Sequence, residues 1–231
     1  MTYSLQSSER RLSSLCTYLQ ENQETEKSQL ARTLHDELGG LLVATKMDIV
    51  WLRRTLDDLD PTVATHWDRV VLSLEQAIDC KRRIIENLRP TLLDNLGLVA
   101  ALRWLIDESC RQTGLQCDQR YADACVPIGS AASIALFRVV QQAVENVVRH
   151  ARASRIVVRL TCEPTHVSLL IGDDGIGIPA DRLESDASHG IWAMRQRVAA
   201  LQGELNIERP ASGKGTMVLA RVPRSSMLAT K

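Results

Sequence analysis

Apolar residues recur at helical spacing from residue 5 to residue 59, without a proline and with glycine only at 39 and 40. Leu5, Leu12, Leu15, Leu19, Leu30, Leu34, Leu38, Leu41, Met47 and Ile49 trace the stripe, and polar residues fill the gaps, notably from Gln20 to Gln29. The pattern predicts one long helix whose single apolar strip must pair with a neighbour. The Gly39-Gly40 pair costs about 1 kcal/mol per glycine in a helix, and marks either a bend or room for a close approach. Asp57-Asp58-Leu59-Asp60-Pro61 ends the pattern, because proline disfavours helix at the residue before it. A second helix is expected over about 65–88, with Trp67, Val70, Val71, Leu74, Ala77, Ile78, Ile84, Ile85 and Leu88 on its stripe. Two antiparallel helices are half of a four-helix bundle, so a homodimer that completes the bundle is predicted.

The pattern changes after residue 88. Residues 89–97, R-P-T-L-L-D-N-L-G, carry a helix-breaking Pro90 and turn chemistry at Asp94-Asn95 and Gly97. A helix over about 98–113 is stopped by Gly114, and a strand follows over 115–121. Ser130 is expected to cap a helix over 131–150 bearing Ile134, Leu136, Phe137, Val140, Val144 and Val148. Strands at 155–162 and 165–172 join at Glu163-Pro164. A glycine-rich loop over 173–190, a helix over 191–202 and strands near 204–209 and 216–222 complete the order, with no internal repeat. The fold class is therefore α followed by α/β: a helical hairpin, then a sheet with helices on one face. The tail after Pro223 reads as loose.

Composition narrows the function. Twenty-eight basic residues balance 28 acidic ones, which argues against a dedicated nucleic-acid or anionic-membrane binder. With one Phe, three Tyr and four Trp, the core must be aliphatic. Cys16, Cys80, Cys110, Cys117, Cys125 and Cys162 form no C-x-x-C pair and have no His at zinc-finger spacing. They are expected to be reduced, mostly buried thiols. No apolar run approaches the ~18–20 residues of a membrane span, and the start lacks a signal-peptide core. A cytoplasmic location is expected, compatible with the catalytic end of a longer protein.

The candidate chemistry begins in A-R-T-L-H-D-E-L-G-G-L-L, residues 31–42. His35 lies at the edge of the apolar stripe, with Asp36 and Glu37 next to it. Imidazole is largely neutral near neutral pH and nucleophilic enough to accept a phosphoryl group. A half-buried histidine on an amphipathic helix fits these twelve residues as well. In the second half, F-R-V-V-Q-Q-A-V-E-N-V-V-R-H-A (137–151) places Gln142, Glu145, Asn146 and Arg149 on one helix face. I-G-D-D-G-I-G-I-P (171–179) ends a strand in acids and tight glycine turns. H-G-I-W-A-M-R-Q-R-V (189–198) leads a glycine into a helix.

These three segments resemble the asparagine box and the two glycine boxes of the histidine kinases, whose ATP lobe belongs to the gyrase–Hsp90–kinase–MutL superfamily. The first half resembles their dimerisation and phosphotransfer domain. R-T-L-H-D and L-R-P-T-L-L-D-N-L-G-L-V-A-A-L (88–102) are similar to the kinases of the nitrate- and membrane-fluidity-sensing subgroup. The resemblance covers roughly residues 25–222. It implies an N-terminal helical extension (1–24), a dimerisation and phosphotransfer domain (25–97), a Bergerat-type ATP-binding domain (98–224) and a tail (225–231). By this resemblance ATP phosphorylates His35, with Asp36 taking the imidazole proton or fixing the tautomer. Asn146 would hold Mg²⁺ together with Gln142, and oxygen ligands suit that cation. Arg149 and His150 would meet phosphates. Asp173 would accept the adenine amino proton, and Gly175 and Gly177 would let the backbone pass close to base and ribose. His189-Gly190 would open a helix N-terminus toward phosphate, and Gly213, Gly215 and Thr216 would form the closing loop. G-K-G-T is not a Walker A loop, because the leading spacing is absent.

The sequence departs from the pattern at two positions. Gln142 stands where many relatives have Glu, and an amide can orient a metal-bound water but cannot act as a base. Gly40 stands where many relatives have the Gln that positions water for dephosphorylation, so weak phosphatase activity is expected. The implied partner is a response regulator that receives the phosphoryl group on an aspartate; in this subgroup it usually carries a helix-turn-helix output domain. Two alternatives stay open: a degenerate kinase serving as a dimeric ATP- or regulator-binding scaffold, and a serine-kinase or ATPase relative with the same nucleotide lobe.

Overall fold

The computed structural model describes residues 15, 18, 19, 22–56, 60–122, 128–179, 189–210 and 213–226. The helical pattern before residue 15, Cys16, Cys125, most of the second half of the glycine-rich loop and the end of the tail lie outside the described residues. The chain divides into two compact units, Met1–Thr91 and Leu92–Lys231.

In the first unit, α1 (22–33) passes through a π-helical turn, Leu34–Leu38, into α2 (Gly39–Thr55). Gly39 keeps helical backbone angles (φ −61°, ψ −52°), so this glycine introduces no backbone break of the kind one reading of the pair allowed. The other reading fits Gly39: a Cβ would come within 3.2 Å of Lys81 Nζ, whereas Gly40 faces open space. After the turn, α3 runs Pro61–Leu88. Pro61 takes the first helical position, where its missing N–H matters least. Asp60 caps the helix, its side chain accepting from the Thr62 N–H at 2.8 Å. That bond and one from the Thr62 hydroxyl hold the Asp60 carboxyl below its usual range.

Contacts at Ser28 with Arg89, Gly39 with Lys81 and Lys46 with Glu75 pair rising with falling numbers, so the two helices are antiparallel. The stripe expected to be buried is only half covered. Leu34 and Leu42 are partly buried, but Leu41 is 66% exposed, Met47 68% and Trp51 64%. The physical reason is that a two-helix hairpin can cover only one side of each helix.

In the second unit, α4 (Thr91–Thr113) is broken at Gly97 (φ +80°, ψ 178°). A short helical segment therefore runs through Asp94-Asn95, where turn chemistry was expected, and the turn falls at Gly97 as expected. β1 (Gln116–Tyr121), α5 (Ser130–Asn146), a second π-helical turn (Val147–Ala151), β2 (Arg155–Cys162) and β3 (His166–Asp173) follow. Then come α6 (His189–Ala200), β4 (Glu204–Glu208) and β5 (Met217–Pro223). Gly129, not Ser130, holds the cap position of α5, and no side-chain cap bond forms there. The sheet has the order β1-β2-β3-β5-β4. β1 pairs parallel to β2, and the other pairs are antiparallel.

Alternate residues of β2, β3 and β5 are buried, as expected for a sheet covered on one face. Ile156, Val158, Leu160, Leu169 and Ile171 form that face with Val218 and Ala220. Leu102 and Ile106 of α4, Phe137 and Val140 of α5, and Met194 and Val198 of α6 cluster with it. The core is aliphatic apart from Phe137, as the composition requires.

The cysteines depart from expectation. Cys110 and Cys117 face each other across the Gly114 turn, Cα atoms 6.5 Å apart, with sulfurs within bonding reach, so these two are not separate thiols. Cys80 is a free but exposed thiol. Among the described residues no helix is long and apolar enough to cross a membrane.

Candidate functional site

His35 lies on the π-helical turn of the first unit, and its carbonyl accepts from the Gly39 N–H. The side chains of His35, Asp36 and Glu37 are exposed. One extra residue in a helical turn shifts the side-chain register locally, and such turns recur at functional sites. Here the turn presents an imidazole to solvent.

In the second unit a cavity of about 610 Å³ lies between α5, α6 and the sheet. The pattern of α5 places Gln142 and Asn146 on one face, and the π-helical turn then presents Arg149 and His150 to the same cavity. β3 ends at Asp173 on the opposite wall, followed by Ile176, Gly177 and Ile178. Gly190 starts the α6 side, and Thr216 begins β5's contribution. Eight of the residues picked from sequence thus line one cavity: Gln142, Asn146, Arg149, His150, Asp173, Gly177, Gly190 and Thr216.

Gly175 and Gly215 act from behind the wall. A Cβ at Gly175 would overlap the Ala151 carbonyl, and one at Gly215 would overlap the Asp173 carbonyl. Gly213 sits in the β4–β5 turn with open space around it and does not line the cavity. The side chain of His189 lies outside the described residues. His35 and Asp36 belong to the other unit. Sequence reading missed the apolar lining, Ile171, Ile176, Met194, Ile207 and Val218, because an apolar side chain carries no chemistry that marks a site.

The chemistry of the walls is uneven. The Asp173 carboxylate accepts from the Gly175 N–H at 2.8 Å. Burial pushes its carboxyl above the ordinary value, and hydrogen bonds from Gly175 and Thr216 oppose that shift only in part. Around it the lining is apolar. The other end is polar and basic, with Arg149 and His150 beside Asn146. A flat heterocycle with one amino group suits the first end, and anionic groups suit the second. The Gln142 amide donates to Asn146 Oδ1 at 3.4 Å and packs against Gly190, whose added Cβ would stand 3.0 Å from Gln142 Nε2. No group of three or more His, Cys, Asp or Glu that could hold a metal occurs among the described residues. The side-chain amides of Asn146 and Gln142 offer oxygens, the ligand type a hard cation prefers.

The raised carboxyl gives a pH prediction. Ionised Asp173 is an acceptor, and protonation removes part of that capacity. Affinity for an adenine nucleotide should fall as the solution is acidified, beginning above the ordinary value of 3.8. The stability sign is opposite: ionising this half-buried carboxyl opposes folding, so its contribution is most favourable below 3.8 and is lost as pH rises through the raised value. Titrating a fluorescent adenine nucleotide across acid pH checks the first statement, and the Asp173→Ala variant should show weak, pH-flat binding.

Comparison with known proteins gives the family. The family described as "Histidine kinase-, DNA gyrase B-, and HSP90-like ATPase" matches residues 131–226, and the family described as "Histidine kinase" matches residues 26–93. Sensor histidine kinase MctS of Rhizobium johnstonii is 34% identical over 222 residues, which are 94% of this chain and 47% of that protein. Sensor histidine kinase LiaS of Bacillus subtilis is 29% identical over 86% of this chain and 54% of its own length. The nitrate/nitrite sensor protein NarQ of Escherichia coli is 28% identical over 84% of this chain and 34% of its own length. The chain thus spans about half the length, or less, of these curated relatives. Among solved structures, the histidine kinase domain of the blue-light activated kinase from Erythrobacter litoralis EL346 shares the fold. It has a TM-score of 0.52 at 21% identity, covering 80% of this chain and 95% of that one.

Proposed function

The chain belongs to the sensor histidine kinases, and from that membership we propose that it transfers the γ-phosphoryl group of ATP to Nε2 of His35. The observation that carries the proposal is one cavity with a half-buried acceptor at its apolar end and Asn146, Arg149 and His150 at its polar end. We assign the adenine to the Asp173 end, its amino group donating to the carboxylate, with Gly177 and Thr216 beside it. Arg149 and His150 face the phosphates, with the α6 N-terminus at His189-Gly190 supplying further N–H donors. Gly175, Gly213 and Gly215 shape the loops.

The reaction breaks the bond from the γ-phosphorus to the bridging oxygen and forms a bond to the imidazole nitrogen, releasing ADP. Bound Mg²⁺ would neutralise phosphate charge. Asn146 and Gln142 would orient it through amide oxygens. The proton lost by the imidazole goes to Asp36 or to solvent, and Asp36 also favours the reactive tautomer. Most of the catalysis is positioning.

The remaining assignments follow from the same reading. The half-covered stripe on α1, α2 and α3 supports a homodimer in which two hairpins form a four-helix bundle. The domains are 1–24, 25–97, 98–224 and a tail, 225–231. The phosphoryl acceptor is an aspartate of a response regulator, with a helix-turn-helix output domain in this subgroup. No nucleic-acid contact is assigned, and the working location is cytoplasmic. Gly40 cannot position a water, so phosphatase activity toward the regulator should be weak. Rapid loss of phosphate from the phosphorylated regulator on adding this chain and ADP would contradict that assignment.

Incubation with γ-labelled Mg-ATP tests the main proposal. A label stable in base and lost in acid is expected. Gln142 favours one second reading, an ATP-binding scaffold without transfer, and that reading predicts ATP binding with no label.

A further inference from the structure

The reading of the cavity as an ATP site leaves Asp174 without a task, and the inference here rests on that reading. Asp174 is exposed and does not line the cavity, yet its carboxylate is fully engaged. Oδ1 accepts from the backbone N–H of Ser154 at 2.8 Å and of Arg155 at 2.9 Å. Oδ2 accepts from the Ser154 hydroxyl at 2.5 Å. Its own backbone N–H donates back to the Arg155 carbonyl at 3.4 Å. The Ser154 hydroxyl bond first, then the Arg155 backbone bond, hold its carboxyl below the usual range.

These bonds continue the β2–β3 pairing, in which Ile156 stands opposite Asp173, by one step, into the segments that lead to two walls of the cavity. Ser154 and Arg155 follow directly on the π-helical turn that carries Arg149 and His150, by way of Arg152 in a left-handed conformation (φ +50°). Asp174 follows directly on Asp173. A second tie, from the Ile176 N–H to the Ala151 carbonyl at 2.9 Å, closes the same seam. The seam is tight, since Gly175 has no room for a Cβ against Ala151.

We propose that Asp174 is a positioning residue for nucleotide selection: by clamping the glycine loop to the start of β2, just after the turn that leaves the asparagine-bearing helix, it fixes Asp173 at the distance needed to read the adenine amino group. The clamp needs an acceptor with the reach of Asp. Asn supplies Oδ1 for both backbone N–H groups and an amide that can donate to the Ser154 hydroxyl. Ala supplies nothing, and Glu is one methylene too long.

The test measures ATP and GTP dissociation constants on the full chain for the parent, Asp174→Ala, Asp174→Asn and Ser154→Ala. GTP has a carbonyl where ATP has the amino group, so the ratio of the two constants reports what Asp173 reads. Asp174→Ala should weaken ATP binding on the order of tenfold, from the loss of hydrogen bonds to a charged group, and shrink the preference for ATP over GTP. Asp174→Asn should keep both within about twofold, and Ser154→Ala within about threefold, since the backbone bonds survive. A merely structural role would weaken both nucleotides alike and leave the ratio unchanged, and that result overturns the proposal. So does an Asp174→Ala variant that binds and discriminates like the parent. If Asp174→Ala does not fold, Asp174→Glu against Asp174→Asn decides: the Asn variant must retain the preference and the Glu variant must lose part of it, and any other pairing overturns the proposal. A parent chain that binds no ATP, or binds GTP equally well, contradicts the ATP reading itself and not only this inference.

Discussion

The His35→Gln variant should incorporate no phosphoryl group from ATP above background, a loss on the order of a thousandfold or more, while binding nucleotide within about twofold of the parent chain. The nitrogen lone pair of a glutamine amide is delocalised into its carbonyl and cannot attack phosphorus, whereas neutral imidazole keeps a free lone pair on its unprotonated nitrogen. The separation of effects follows from where the residues lie. Every cavity-lining residue falls between Gln142 and Val218, and none belongs to the unit Met1–Thr91 that carries His35. The substitution is mild for the helix, since glutamine is at least as good a helix former as histidine and the site is exposed. Labelling with γ-labelled ATP beside a nucleotide-binding titration reads both parts. Loss of binding together with labelling would mean that the residue supports folding and is not the acceptor.

The other large effect is expected at Gly215→Ala, which should abolish measurable nucleotide binding, a loss on the order of a hundredfold or more, and lower the melting temperature. Gly215 has φ +84°, in the left-handed region, where an added Cβ is strained in any surroundings. It also abuts the Asp173 carbonyl, a backbone atom that no rotamer change can move aside. The loop after β3 and the loop before β5 would have to separate, and Asp173 would move with them. Gly213→Ala is the control. Its φ of +74° is nearly the same, but nothing surrounds the added carbon. It should show only the backbone term of about 1–3 kcal/mol, with binding largely kept. If the two variants behave alike, backbone strain and not the overlap with Asp173 is what matters.

Some of this was legible in the sequence because burial writes a period into the chain. β2 and β3 alternate apolar and polar residues, and the structure buries the apolar ones on a single face. The cavity residues on α5 were readable from helical spacing, which brings Gln142 and Asn146 together. Elements without a period were missed. A π-helical turn keeps the residues of an ordinary helix and changes only their hydrogen bonding, so nothing in L-H-D-E-L or V-V-R-H-A announces it. The turn matters because it presents Arg149 and His150 to the cavity. Asp174 was missed for a related reason. In D-D-G, Asp173 has a role by resemblance, whereas Asp174 passes for ordinary turn chemistry until its partners, about twenty residues earlier in the chain, are seen. The outward half of the α2 stripe, Leu41 and Met47, resembled core because hydrophobic spacing does not say whether the covering surface comes from the same chain.

The claim on which the account turns is that ATP held by the second unit ends as a phosphoryl group on His35 of the first. Peptide mass spectrometry of the Mg-ATP-treated chain, run at alkaline pH to preserve phosphohistidine, tests it directly. The account predicts the phosphoryl group on the peptide that contains His35. A phosphoryl group on serine or threonine, or inorganic phosphate released with none retained on the protein, would contradict it.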